Sequence, residues 1–207
     1  MPTPQILAGI RQFQECHQGD PELFARLAAH GQSPDVLVIA CCDSRVSPEL
    51  ITSAKPGDLF VVRTVGTVVP PFGSGQMGVG AAIEFGVLEL GVGHIIVCGH
   101  TDCGGIQALN SPPDWSRRSH LARWVEHARP AKTTVDARRV PEEERHLATV
   151  RQNVLLQLEH LRSYDPVREG ERAGTLTLHA WVYHLETGAI EAYNEEPGAW
   201  SPPASGA

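Results

Sequence analysis

VLVIACCDSR, residues 36–45, begins with five apolar, mostly β-branched residues and then turns abruptly into Cys41-Cys42-Asp43-Ser44-Arg45. A short apolar run with no polar alternation predicts a strand buried on both faces, the habit of parallel sheets. HIIVCGHTDCGG, residues 94–105, repeats the design. The run His94 to Cys98 predicts a second such strand, followed by Gly99-His100-Thr101-Asp102-Cys103-Gly104-Gly105. Between them Leu59 to Val62 predicts another strand, and residues 76–90, QMGVGAAIEFGVLEL, a helix with small residues on a close-packed face. Strand, helix and strand in this order imply βαβ crossovers, hence an α/β fold with a mainly parallel sheet flanked by helices.

The flanking sequence extends this frame. Residues 1–30 predict a helical arm. Ile6, Leu7, Ile10 and Phe13 recur at helical spacing, Pro21-Glu22 opens a second helix, and Gly31 ends it. Helical periodicity returns over 116–128 and 141–163, the latter starting at Pro141 followed by three glutamates, which suit the positive end of a helix dipole. TLTLHAWVYHLETGAIEAYN predicts a C-terminal pair of strands joined by a tight turn at Glu186-Thr187-Gly188. The Pro/Gly/Ser-rich stretch 195–207 is expected to be a tail, mobile or packed on a partner. Trp115, Trp124, Trp181 and Trp200 read as packing or interface residues, not as stacking surfaces for a substrate. The whole chain, 1–207, is expected to be one domain.

Composition narrows the function classes. The chain has 207 residues, 42% hydrophobic and 20% charged, within the range of soluble globular domains. Seventeen basic against 24 acidic residues leave a net charge of −7, which argues against a nucleic-acid partner. No apolar run approaches the ~18 residues of a membrane span, and the N-terminus lacks the pattern of a secretory signal. The expected location is therefore cytoplasmic, with no membrane partner. Five cysteines fit buried thiols or metal ligands in a reducing compartment better than a disulfide frame.

The chemistry gathers at two strand ends. In open α/β sheets, ligands bind beyond the carboxyl ends of strands, near the point where strand order reverses. If the two motif-bearing strands are neighbours, Cys41 or Cys42 converges there with His100 and Cys103. Two thiolates and one imidazole suit zinc, and three protein ligands leave a fourth position open. A lone His-x-x-Cys is weak evidence, since a buried structural thiol explains any one of these cysteines. Two such motifs at the ends of buried strands are stronger, but spacing does not choose between Cys41 and Cys42. Asp43 and Arg45, two residues apart in extended chain, share one face. An ordinary ion pair is the plain reading; beside a metal, arginine would fix a carboxylate that aims bound water.

Cys41-x-Asp43-Ser44-Arg45 followed by His100-x-x-Cys103-Gly104-Gly105 resembles the β-class carbonic anhydrases. The resemblance extends over roughly residues 31–194 and includes GQSPDVLVIACCDSR, PGDLFVVR, GVGAAIEFGVLELGV, VCGHTDCGG, NVLLQLEHLRSY and LHAWVYHLETG. It implies one Zn2+ per chain on Cys41, His100 and Cys103, with Asp43 and Arg45 as a catalytic dyad. Within the family the chain is similar to the plant-type branch shared by cyanobacterial members. Gln32, Phe60, Val65, Phe85 and the backbone N–H of Gly104 fall on substrate-binding positions, some reaching across a dimer interface, so the resemblance also implies a homodimer or higher homo-oligomer. In the other branch a tryptophan serving an inhibitory bicarbonate site stands where this chain has Val38. The family commonly reads Arg-Asn-x-x-Asn at Arg63-Thr64-Val65-Gly66-Thr67, and a tyrosine at Phe85.

The implied activity is the reversible hydration of carbon dioxide to bicarbonate and a proton, through attack of zinc-bound hydroxide on CO2. His94, His120, His127, His179 and His184 are all chemically able to carry the proton away, and nothing in the sequence separates them. Two other functions stay open at this level. The same zinc site could hydrolyse carbonyl sulfide or carbon disulfide, or the protein could be a non-catalytic, zinc-stabilised interaction module. Intact Asp43, Arg45 and Gln32 speak against the last, since a structural zinc needs none of them.

Overall fold

The computed structural model describes residues 3–203 apart from 111, 113, 115 and 118, so Trp115, the first two residues of the arm and the last four of the tail lie outside the described residues. The chain divides into two compact units, Met1–Ser33 and Pro34–Ala207. The first consists of α1 (Pro4–Gly19) and α2 (Pro21–His30). Asp20 caps α2, its carboxylate accepting from the Leu23 N–H at 3.2 Å, and Phe13 meets Phe24 edge to face at 5.9 Å between ring centres.

The second unit is built on a six-stranded sheet in the order β2-β1-β3-β4-β5-β6: β1 Val36–Cys41, β2 Leu59–Thr64, β3 His94–His100, β4 Thr177–Tyr183, β5 Ile190–Asn194 and β6 Ala199–Ser201. β2, β1, β3 and β4 run parallel, and β5 and β6 are added antiparallel. This is the expected α/β architecture, and β1 and β3 are neighbours with Val36 opposite His94. After β1 the chain moves outward to β2 and then returns to the other side of β1 for β3. The reversal of strand order therefore lies between β1 and β3.

Both faces of the parallel strands are buried, which is why their sequences do not alternate. On one face Leu37, Ile39, Ile95 and Val97 pack in a core with Val150, Val154, Leu158 and Leu161 of α8 (Glu142–Arg162). On the other, Val38, Ala40, Ile96 and Cys98 form a smaller cluster with Val46. α8 lies so close to β3 that a Cβ on Gly99 would sit 2.6 Å from Val154 Cγ2. Only glycine fits one residue before His100 without displacing the Val154 side chain.

Several elements depart from the sequence-based expectations. The helix over 76–90 is α4 (Met77–Glu84) continued by a π-helical turn, Phe85–Glu89. The helix over 116–128 is α6 (Ser119–Val125) and a 3₁₀ turn, and α7 (Arg129–Ala137) follows. The short helices α3 (Pro48–Thr52) and α5 (Gly104–Asn110), and α9 (Asp165–Ala173), carry too little apolar periodicity to read in advance. Within the stretch expected to be a tail, Ala199–Ser201 instead forms β6, where Trp200 packs on Tyr193 at 5.4 Å between ring centres. Among the described residues no helix is long and apolar enough to cross a membrane.

Candidate metal centre

β1 ends at Cys41 and β3 at His100, and Cys103 follows in the turn that leads into α5. Side chains alternate along β1, so Cys41 falls on the face of Leu37 and Ile39 and is buried, whereas Cys42 is exposed. That alternation makes the choice the spacing left open. One atom each from Cys41, His100 and Cys103 lie within 4.8 Å of one another, the only such His/Cys/Asp/Glu grouping among the described residues. The two sulfurs are 3.9 Å apart.

The donor set fits zinc on the structure's own terms. His100 is completely buried, and its Nδ1–H donates to the Thr101 carbonyl at 2.8 Å. That bond leaves the lone pair on Nε2, which has no hydrogen-bond partner. A buried lone pair aimed at two thiols is costly unless something binds it. The thiols are also in conflict. Cys41 is drawn down to about 4, chiefly by the hydrogen bond from Cys103 and further by the Asp43 N–H, against the opposing effect of burial. Cys103 is pushed up by the same contact and by burial. A cation between the two sulfurs would relieve this opposition by taking both as thiolates.

Arg45 donates from Nε to Asp43 Oδ1 at 2.9 Å and from Nη2 to Oδ2 at 2.8 Å, and its backbone N–H adds a third bond to Oδ1 at 3.0 Å. These bonds hold the Asp43 carboxyl well below the usual carboxylate range. Asp43 Oδ2 lies 3.9 Å from His100 Nε2, so the dyad borders the metal ligands. Three further residues, which the motifs do not reveal, hold this arrangement. Arg63 ties down the 41–46 loop by donating to the carbonyls of Cys41, Asp43 and Val46 at 3.0, 2.6 and 2.7 Å. The Cys103 N–H donates to His146 Nε2 of α8 at 3.1 Å. Asp102, at φ 53°, accepts from Arg45 Nη1 at 2.8 Å. Each bridges segments 40 or more residues apart or joins loops that only the fold brings together, except Arg63, whose partners lie about twenty residues away across β1 and β2.

The expected substrate residues divide. Gly104 opens α5, so its N–H has no acceptor within that helix. Val65 stands beside this turn, since a Cβ on Gly105 would lie 3.1 Å from Val65 Cγ1 and 2.8 Å from the Gly66 nitrogen. Trp124 Nε1 donates to the Val65 carbonyl at 2.8 Å, and Val65, Cys42, Arg63 and Trp124 line a cavity of about 510 Å³. Phe60 and Phe85 meet each other at 5.9 Å between ring centres. Phe60 pairs with Leu37, four residues before Cys41 and so about 13 Å back along the strand; the structure does not bring this pair to the cluster within one chain. Gln32 belongs to the first unit. Of the candidate proton carriers, His120 shares a smaller cavity with Val65, while His94 and His179 pair with each other at 3.2 Å between Nδ1 and Nε2.

The profile of the carbonic anhydrase family matches residues 36–190. A carbonic anhydrase of Pseudomonas aeruginosa is 42% identical over 189 residues, spanning 90% of this chain and 86% of its own. A carbonic anhydrase of Synechocystis is 36% identical over 199 residues, spanning 92% and 70%. Among solved structures, the β-carbonic anhydrase CcaA superposes with a TM-score of 0.91 at 34% identity, over 97% of this chain and 92% of that one. The β-carbonic anhydrase CafA of Aspergillus fumigatus gives 0.82 at 30% identity, over 92% and 89%.

Proposed function

Since this chain belongs to the β-class carbonic anhydrases, we propose that it interconverts carbon dioxide and bicarbonate at a zinc ion held by Cys41, His100 and Cys103. The observation that carries the reading is the buried, unpartnered Nε2 of His100 facing two thiols 3.9 Å apart. When bound there, zinc supplies the Lewis acidity that makes a nucleophile of water near neutral pH.

The chain's own groups supply the rest. Cys41 and Cys103, as thiolates, balance the charge of the dication, and the Nδ1–H bond to Thr101 keeps the His100 lone pair on Nε2. Asp43, held ionised by Arg45, keeps spare lone pairs on both oxygens to accept a hydrogen bond from the attacking water and aim its oxygen at CO2. Arg45 offsets the carboxylate charge, which would otherwise oppose growth of negative charge beside it. Val65 offers CO2 an apolar wall, and the Gly104 N–H offers the growing oxyanion a donor. Gln32, Phe60 and Phe85 enter the site in this proposal from a second copy, in a homodimer or larger homo-oligomer. The exposure of Met77, Phe85 and Leu88 along one side of α4 and its π turn supports that part, and two relatives from Sordaria macrospora are described as tetrameric. The plant-type assignment rests on Gln32 and Val38.

Stopped-flow CO2 hydration with a pH indicator, run on protein of measured zinc content, tests the proposal. Near-stoichiometric zinc with hydration that disappears in Cys41→Ala is the expected result. Full zinc and activity in that variant would remove the ligand assignment.

A further inference from the structure

The Arg45 guanidinium has two edges, and the dyad uses only one of them. Nε and Nη2 face Asp43. The other edge faces Asp102: Nη1 donates to Asp102 Oδ2 at 2.8 Å and Nη2 to the Asp102 carbonyl at 3.2 Å. Four of the five guanidinium N–H groups are thereby committed. We infer that Asp102 is a positioning residue that locks Arg45 onto Asp43 and so holds the Asp43 carboxylate beside the metal ligands, 3.9 Å from His100 Nε2, and not among them.

The argument is geometric. Arg45 is half exposed, and a half-exposed arginine on a single carboxylate leaves it readily because water competes for both partners. Gripped from two sides, the planar fork cannot rotate about its stem without giving up both carboxylates at once. Asp43 follows the end of β1 and Asp102 the end of β3, so Arg45 also braces the loop bearing Cys41 against the loop bearing Cys103. The Asp102 backbone is shaped for this. Its φ of 53° lies in the left-handed region, where aspartate, asparagine and glycine are tolerated, and it sets both the carboxylate and the carbonyl of one residue against one guanidinium. Were Arg45 released, the Asp43 oxygen now 3.9 Å from His100 Nε2 would be free to turn toward the cluster.

The consequence for turnover rests on the proposed function; the clamp itself does not. The test uses zinc-loaded wild type, Asp102→Gly and Asp102→Asn. Both replacements suit a positive φ, so the turn is retained, but only asparagine keeps a side-chain acceptor for Nη1. The Arg45 Nε–H is followed by ¹H–¹⁵N NMR, its signal assigned by loss in Arg45→Lys, alongside zinc content and hydration kinetics. Asp102→Gly should speed exchange of the Nε–H with water and lower kcat by about 2- to 5-fold, the range for an exposed ion pair, with KM and zinc content unchanged. Asp102→Asn should restore both toward wild type. Unchanged Nε–H exchange in Asp102→Gly would overturn the clamp. Faster exchange in a protein that hydrates no CO2 even as wild type would uphold the clamp and sink the proposed function instead.

Discussion

The two ends of β3 each carry a histidine, and the two behave oppositely. His94, at the start, gives one ring nitrogen to His179 at 3.2 Å and has the other 3.9 Å from Asp35; it is substantially exposed. His100, at the end, is wholly buried and keeps one nitrogen without a partner between two thiols. At the first end the polar groups contact one another and stay open to solvent. At the second the protein leaves a buried lone pair unmet, which a fold tolerates when a ligand is to meet it. Asp35 addresses the nitrogen of His94 that does not face His179, so the three side chains form a chain and not a common ligand set. Residue type alone would not separate these two places.

The strongest way to break the comparison is to exchange outcomes between the ends. Cys41→Ala should abolish zinc binding and hydration together, while His94→Ala should leave zinc stoichiometry intact and turnover within about 2-fold of wild type, as expected of a site away from the chemistry. Metal analysis and stopped-flow assays on both variants check this. A zinc loss in His94→Ala comparable with that in Cys41→Ala would erase the distinction.

A smaller effect is expected one step out from the ligands. Asp43→Asn should keep zinc and lower turnover by about 100-fold, the scale for misplacing a reacting group that the carboxylate no longer aims. Retention of near-wild-type turnover would show that the dyad is only an ion pair.

Smaller again is the packing beneath the site. Gly99→Ala drives a Cβ to 2.6 Å from Val154 and should cost about 1–3 kcal/mol of stability, read by denaturant unfolding of the zinc-loaded protein. Val154→Ala in the same chain should recover part of that loss by making room, a coupling seen in a double-mutant cycle.

The mildest prediction concerns the other end. Burial, and then His94, lowers the pKa of His179 below the ordinary histidine value of 6.5. The unfolded chain therefore binds that proton first as pH falls. Stability contributed by neutral His179 is complete above about pH 6.5 and declines as pH drops below it toward the lowered folded value. The slope from this one group is at most about 1.4 kcal/mol per pH unit. His179→Gln should flatten the decline between about pH 7 and 5 in zinc-loaded protein; an unaltered slope would place the titration elsewhere.

What could be read before any coordinates reflects periods of two and 3.6 and the chemistry of residue types. VLVIA and HIIVC announce parallel strands because burial on both faces removes alternation. Val150, Val154, Leu158 and Leu161 announce α8 because one helix face must be apolar. Cys41 or Cys42, with His100 and Cys103, points to a metal site because two thiols and an imidazole at two strand ends are donors that zinc prefers, although a buried structural thiol explains any one of them. These are local signals, legible in one stretch at a time. The remainder depends on contacts between distant segments. Spacing cannot choose Cys41 over Cys42; the pleat of β1 between β2 and β3 does. Trp200 lies in a proline-flanked stretch that reads as tail, yet β5 offers it a strand edge. Asp102 looks like a spacer within His100-x-x-Cys103 and becomes the second grip on Arg45 only because β1 and β3 are adjacent. His146, 43 residues from Cys103, meets its N–H only because α8 packs across the sheet at Gly99. A hydrogen bond between far-apart residues leaves no period in the chain, so its partners emerge only when folding puts them within 3 Å or so of each other.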